Sequence, residues 1–438
     1  MTRRRLRIVA LLTAVAAVGV LLWLRSEPSK APFLDYVADL RARGEPVTVA
    51  ELIGPAPDRS DNAVDVVMAS IDVERAVYAA GVTGPWDDKA TQPWYETASS
   101  ERIEALRDQL DRNRPYFDAL DAASRRGHLW RRLGCGDRIL ALDDQLVRGL
   151  QAVYRLSSAR AFVSSDHEDR TVALESQLRI SELARGSAIR FMVATAIRKG
   201  VTFSLRHELG AECAAAAAAR PRLDPLLARP WLPTFREFAR AERASTVELL
   251  AGVLDGSIQP PADDAFLGKT SISWGVRRAL GIWGNGGTPV GSAEDYVKAC
   301  RFIETMAALE TKSHAALQRD VDGRTVALGT YSTASVVAIM YPKLVRAITQ
   351  TDAATRLARI ALAAAEHRAK HGDFPASLDE LKPMFPDGLP LDPYTDAPFA
   401  YARTATGARI ASLGRLAEET PLDDATLRER VLVWELKR

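Results

Sequence analysis

The spacing of apolar residues predicts α-helices along most of the chain. In the clearest stretch, apolar side chains recur every three or four residues, as they do along one face of a helix: Ile139, Leu142, Leu146, Leu150, Val153 and Leu156. Similar stretches run from Phe33 to Arg43 and from Thr234 to Leu254. Because several connections between such stretches are short, we predict a mainly α fold, a multi-helix bundle of antiparallel hairpins.

Two stretches within this bundle depart from the amphipathic pattern. The segment from Ile189 to Leu209 is apolar nearly all round, which predicts a helix at the centre of the bundle. The stretch from Cys213 to Ala219 is rich in alanine and should be helical, but prolines follow it at positions 221, 225, 230 and 233. Since proline disrupts a helix interior, we predict that the chain there is broken into short pieces.

An uncharged run from Ile8 to Leu24 lies near the N-terminus. As a helix it would be about 26 Å long at ~1.5 Å per residue, close to the ~30 Å hydrocarbon core of a bilayer. Arginines precede the run, and Trp23 lies at its far end, where interfacial aromatic rings are common. We therefore predict a signal-anchor, a transmembrane helix that crosses a bacterial inner membrane once and leaves the bulk of the chain in the periplasm.

Two alternatives to an anchor remain for this run: a cleaved secretory signal and a buried helix of the folded body. Cleaved signals have an apolar region of roughly 7–15 residues and a small-x-small cleavage site. Here the apolar run is longer, and the nearby candidate site, Ser29-Lys30-Ala31, is followed by Pro32, which disfavours cleavage. The sequence therefore favours a retained anchor.

The composition is that of an ordinary folded protein. The net charge is +2, from 58 basic and 56 acidic residues, and this balance gives no reason to expect nucleic acid as a partner. We interpret the three cysteines, Cys135, Cys213 and Cys300, as small buried side chains, with one disulfide as the alternative. His367 and His371 are four residues apart, a spacing that metal sites also use, but we interpret them as partners of a helix dipole. We predict no metal and no cofactor.

Aromatic side chains in two predicted loops are candidate binding residues: Trp86, Trp94 and Tyr95 in the first loop, Trp274 and Trp283 in the second. The first group could form a platform for the sugar rings of peptidoglycan, or could simply hold its loop against the core. The second loop is long, and its tryptophans could touch the membrane surface or a partner protein.

One carboxylate is a candidate catalytic residue, although the chain lacks the H-E-x-x-H, G-x-S-x-G, C-x-x-C and Walker A motifs. Glu242 lies on the apolar stripe of the helix predicted from Thr234 to Leu254, seven residues after Phe235. A carboxylate that faces a core must be paired or have a raised pKa. We interpret Glu242 as half of a buried ion pair with an arginine of the central helix, with a general acid as the alternative.

The chain changes character after about Thr351. A helix that ends at His371 and a short helix from Leu378 to Leu381 precede three predicted strands: Phe399 to Arg403, Ala408 to Leu413 and Val431 to Leu436. We therefore divide the chain into residues 1–32 (cytoplasmic tip, anchor and spacer), 33–350 (helical domain) and 351–438 (small α+β domain).

An ordered set of residues marks this last region: Gly372, Phe374, Pro375, Leu378, Leu381, Asp392, Pro393, Pro398, Tyr401, Ser412 and Gly414. The set resembles the C-terminal part of the type II secretion major pseudopilin. The resemblance implies a helix packed on a short antiparallel sheet. In pseudopilins a loop after the Ser-x-Gly sequence helps to bind calcium, and here Asp423 and Asp424 are the carboxylates in that position. The rest of the chain resembles uncharacterised bacterial envelope proteins, which implies no function.

Three functions are compatible with these features. We favour a non-catalytic envelope protein, a membrane-anchored scaffold or binding module that faces the periplasm and contacts peptidoglycan or another envelope protein. The first alternative is a cell-wall glycan hydrolase or lyase that uses Glu242, since helical folds can cut glycans with one or two carboxylates. The second is a divergent secretion-system component, which follows from the resemblance alone.

Overall fold

The computed structural model describes residues 30–55, 57–79, 99–129, 139–184, 194–202, 204–205, 213–229, 232–255, 293–308, 314–327, 333–412 and 432–437. Within them the protein is mainly helical, with a small antiparallel sheet near the C-terminus, as the sequence predicts. The predicted membrane span from Ile8 to Leu24 lies outside these residues. Among the helices inside them, none has both the length and the apolar character that crossing a bilayer requires.

The α-helices, numbered in chain order, are α1 (Ala31–Ala42), α2 (Val49–Ile53), α3 (Val64–Ala79), α4 (Ser100–Arg112), α5 (Arg114–Ala123), α6 (Ile139–Val163), α7 (His167–Leu183), α8 (Cys213–Leu227), α9 (Leu232–Asp255), α10 (Ala293–Ala307), α11 (His314–Ala327) and α12 (Thr333–His371). Residues 194–202 are also helical, and their buried side chains confirm the core position expected for this segment. Short 3-10 helices cover Arg59–Asp61 and Leu378–Met384.

Polar side chains cap the N-termini of α2 and α3. At α2 the Glu51 N–H donates to the Thr48 hydroxyl at 3.1 Å, and the Glu51 carboxylate accepts from the N–H of Val47 at 2.8 Å. At α3 the side chain of Asn62 accepts from the N–H of Val64 at 3.2 Å. Each of these bonds satisfies a donor that the first helical turn would otherwise leave open.

The prediction that prolines break the chain is wrong at Pro221 and Pro225, because α8 continues through both. A proline in a helix interior costs about 3 kcal/mol, so the neighbouring helices must offset that cost. They do so from both sides: Arg222 forms an ion pair with Glu175 of α7, and buried leucines at 223, 226 and 227 join the core. Tertiary packing here outweighs the local preference of the sequence.

The longest helix, α12, is continuous through Thr351, where the sequence analysis places a boundary between two domains. Its residues 341–348 belong to one hydrophobic cluster, together with side chains of α3, α6, α10 and α11. Its residues 357–365 belong to a second cluster, together with α7, α8 and the sheet. Thr351 and Asp352 are buried between these two clusters, so nothing in the packing favours a break there. One helix therefore contributes to both cores.

The C-terminal strands are β1 (Leu391–Asp392), β2 (Ala397–Pro398), β3 (Ala400–Thr404), β4 (Gly407–Ser412) and β5 (Leu432–Lys437). The last three form an antiparallel sheet in the order β3-β4-β5, close to the predicted strands. Ile410 and Trp434 are paired across this sheet and buried against α12. The turn that ends α12 is made by Gly372, whose φ of +82° suits glycine better than other residues.

Candidate functional site

Glu242, the predicted catalytic residue, is half-buried on α9. Its charge contributes to raising the pKa of Tyr341, although burial of that phenol is the larger cause. Arg198, the arginine that the structure describes on the central helical segment, binds Glu182 at 2.7 Å. The hypothesis that Glu242 is half of a buried ion pair stays a prediction. The catalytic hypothesis for Glu242 stays a prediction.

A buried arginine follows directly in sequence. Arg243 is 2% exposed and donates to Glu45 at 2.7 Å, joining α9 to the turn after α1. This hydrogen bond is the main cause that lowers the pKa of Glu45. Next to it, the Tyr36 hydroxyl of α1 donates to Glu304 of α10 at 3.3 Å. Charged and polar side chains thus hold α1 on the helical body.

The five predicted aromatic binding residues, Trp86, Trp94, Tyr95, Trp274 and Trp283, all lie outside the described residues. The same holds for Asp423 and Asp424, the carboxylates in the position of the pseudopilin calcium loop. Among the described histidines, cysteines and acidic residues, no group of three or more is arranged to hold a metal ion.

A ladder of ion pairs joins α7 to α8, and the sequence analysis missed it. Glutamates 168, 175 and 182 recur every seven residues on α7. Arginines 222 and 229, the first on α8 and the second just after it, have the same spacing. Arg222 binds both Glu168 and Glu175, and Arg229 contacts Glu182 at 3.2 Å. Along the ladder, the residue numbers of the glutamates and of their arginine partners increase together, so the two helices are parallel. The seven-residue spacing is the signal that could have revealed this packing.

A second charged network lies under a cleft between α4, α5, α6 and α7. Arg160 is 5% exposed and binds Asp121 at 2.9 Å and Asp169 at 2.7 Å. Burial by itself would raise the pKa of Asp169, but the hydrogen bonds and charge of Arg160 outweigh burial and lower it. Above this network the cleft has a volume of about 200 Å³, and its wall includes Arg107, whose Nε donates to the carbonyl of Val163. Its floor is this ion cluster, in which Arg114 also contacts Asp169, at 3.0 Å.

His314, Asp352 and Thr349 form a buried triad between α11 and α12. Nε2 of His314 lies 2.8 Å from Asp352, and Nδ1 lies 3.1 Å from the Thr349 hydroxyl. That hydroxyl also donates to the carbonyl of Val345 at 2.8 Å, whereas a nucleophile would have to donate to the histidine. His314 is 2% exposed, so a substrate has no access to its ring. The triad therefore fastens two helices together.

The Asp352 carboxylate is further held by Arg356, whose guanidinium lies 2.7 Å away. Burial is the largest single influence and would raise the pKa of Asp352. The hydrogen bond from His314 and the charge of Arg356 together outweigh burial and lower it. The carboxylate is therefore ionised at neutral pH, and it stabilises the fold in that form.

Several residues that carry the C-terminal resemblance contact one another. The Ser412 hydroxyl donates to the buried carboxylate of Asp392 at 2.8 Å, and the other oxygen of that carboxylate accepts from the N–H of Tyr394 at 3.0 Å. The Tyr401 hydroxyl donates to the carbonyl of Pro375 at 2.6 Å. These hydrogen bonds join the turn after α12 and the β1 strand to the small sheet, so their role is to hold the backbone of the C-terminal unit in place.

Comparison with known proteins adds no identification: no family model, no curated protein and no solved structure matches the chain. The function is therefore argued from the side chains of this protein alone.

Proposed function

We propose that the chain is a non-catalytic scaffold or binding module of a bacterial envelope, anchored in the inner membrane through residues Ile8 to Leu24 and facing the periplasm. Its helical body of packed hairpins would hold the C-terminal unit at a fixed position for a partner. The observation that supports this proposal most directly is that α12 contributes side chains to both hydrophobic clusters. A single helix shared between two cores resists relative motion, which is what a scaffold requires.

The buried charges support the same proposal. Arg160, Arg198 and Arg243 are almost completely buried, and each has a carboxylate partner on another part of the fold. Removing one member of such a pair is costly, so these groups are suited to fixing geometry. Catalytic groups, in contrast, need access to a substrate.

Placement in the membrane is tested by reporters fused after Arg438. Alkaline phosphatase, which is active only outside the cytoplasm, should be active, and green fluorescent protein exported in unfolded form should stay dark. The opposite result would overturn the proposed orientation and with it the periplasmic function.

Absence of catalysis is tested with purified peptidoglycan. The full-length protein should bind the polymer without releasing soluble fragments, and replacing Trp86 and Trp94 with alanine should weaken that binding. Fragment release that disappears in E242Q would instead establish the glycan hydrolase or lyase.

The C-terminal unit is proposed to be pseudopilin-like, which would make the chain a divergent secretion-system component. The contacts of Asp392 with Ser412 and of Tyr401 with Pro375 support this second proposal, because they join residues of the resembling set. Its test is co-purification with secretion-system proteins from membranes. Recovery of the protein alone, from cells that contain such a system, would count against it.

A further inference from the structure

The first helix, α1, presents an exposed stripe next to the predicted membrane anchor. Lys30, Leu34, Ala38 and Arg41 are all exposed, and they lie within about 80° of one another at ~100° per residue. Leu34 is 58% exposed, more than any other large hydrophobic residue in the described part of the chain. The buried face of α1, formed by Phe33, Tyr36 and Leu40, points elsewhere.

At the end of this stripe a cleft of about 720 Å³ opens between the α1–α2 turn and α9. Its lining includes three arginines, Arg41, Arg43 and Arg240, and two glutamates, Glu45 and Glu51. The size would admit a lipid headgroup. The arginines outnumber the glutamates, so the lining is positively charged, and the contacts of each side chain show which arginines remain available to a ligand.

Both glutamates are already occupied by donors within the fold. Glu45 accepts from the buried side chain of Arg243 at 2.7 Å, and Glu51 accepts from the backbone of Val47 at 2.8 Å. Arg43 is paired with Asp39 at 3.1 Å.

The other two arginines of the cleft, Arg41 and Arg240, have no such partner among the described residues. Within the described residues, the side chains of Arg41 and Arg240 make no hydrogen bond and no ion pair, and both are exposed. Arg43 and Glu45 are each matched by an opposite charge, whereas the Glu51 carboxylate keeps its charge. Arg41 and Arg240 together outweigh that glutamate, so the cleft has a net positive charge.

We propose that α1 lies against the bilayer surface and that the cleft binds the phosphate of an anionic phospholipid through Arg41 and Arg240. This inference rests on the proposed anchor, because the predicted span ends at Leu24, six residues before Lys30. Leu34 would enter the interface, as the apolar residue of an interfacial helix does, and Lys30 would meet neighbouring headgroups. Guanidinium groups suit phosphate because their N–H donors match its oxygens in pairs.

The test uses full-length protein in neutral detergent, titrated with short-chain phosphatidylglycerol, short-chain phosphatidylcholine or inorganic phosphate. We expect phosphatidylglycerol to bind most tightly. The double variant R41Q/R240Q should bind it about 30-fold more weakly, since each basic residue near an anionic surface contributes about fivefold in affinity. The control R125Q/R346Q removes two exposed arginines elsewhere, one in the turn after α5 and one on α12, and should bind as the natural protein does.

Equal affinities of R41Q/R240Q and the control would overturn the proposal, and so would equal binding of phosphatidylcholine. Inorganic phosphate that binds as tightly as phosphatidylglycerol would show that a free anion, not a lipid, fills the cleft. The anchor is tested separately by flotation of the full chain with vesicles after an alkaline wash. Failure to float overturns the proposed function, whereas flotation without selective lipid binding overturns this inference alone.

Discussion

Arg198 offers the sharpest test of the buried charges, because its side chain is 0% exposed. Its guanidinium binds Glu182 at 2.7 Å and donates to the carbonyl of Leu226 at 3.0 Å, near the end of α8. The variant R198M keeps the length of the side chain and removes its charge. Breaking a buried pair costs about 3–5 kcal/mol. Arg229 still contacts Glu182, so we expect a loss near the lower limit, about 3 kcal/mol.

The loss is measured by urea unfolding of the purified full-length protein, followed by circular dichroism. In thermal unfolding it should lower Tm by about 6–12 °C for a cooperative unit of 150–250 residues. The double variant E182Q/R198M should recover at least ~1 kcal/mol relative to the sum of the two single variants, because it leaves no unpaired buried charge.

The matched control is R75M, which removes an arginine that is 73% exposed and paired with Asp72 on the surface. It should cost less than ~0.5 kcal/mol. If R198M were no more destabilising than R75M, or if E182Q and R198M were additive, the buried pair would not have the structural role that we assign to it.

Three further predictions concern stability and reactivity. The pKa of Asp352 is lowered in the fold, so its ionised carboxylate stabilises the fold at neutral pH, and this stabilisation is lost as the pH falls below the unfolded pKa of ~3.9. D352N should therefore cost about 3 kcal/mol at pH 7. Urea titrations in acid should show the stability of the natural protein falling to that of the variant. A Cβ on Gly200 would overlap the ring of Tyr154, whereas one on Gly323 meets nothing, so G200A should lower Tm and G323A should raise stability by about 0.5–1 kcal/mol. Burial raises the pKa of Cys300 to about 12, so mass spectrometry should show its alkylation at pH 8 only after unfolding.

The sequence predicts local features of this fold well. Strands such as β4 depend on neighbouring residues, and the structure confirms the predicted strand. The continuity of α8 and α12 depends instead on contacts between residues far apart in the chain, which local patterns do not report. Proline at 221 is unfavourable locally and is tolerated because α7 and α12 pack around α8.

The charged pairs were predictable only in part. Glu242 is conspicuous in the sequence because it is a charged residue on an apolar stripe. That criterion detects one charged residue in an apolar pattern, but it does not detect a regular row of charges. The ladder from Glu168 to Glu182 is a regular pattern on one helix, and its arginine partners lie about fifty residues further along the chain. Pairing of this kind becomes visible only when two helices are compared at the same seven-residue period.

Because α12 contributes to both hydrophobic clusters, neither cluster can be complete until this late helix has been synthesised. Val67 and Leu146 share the first cluster with Tyr341, so that cluster stays incomplete until the ribosome has made that distant residue. At ~5–20 residues per second the delay between Val67 and Tyr341 is roughly 15–55 s. During that time the apolar side chains that pack against α12 are exposed, and transiently exposed apolar surface of this kind favours aggregation. Premature termination before Tyr341 should therefore give insoluble product.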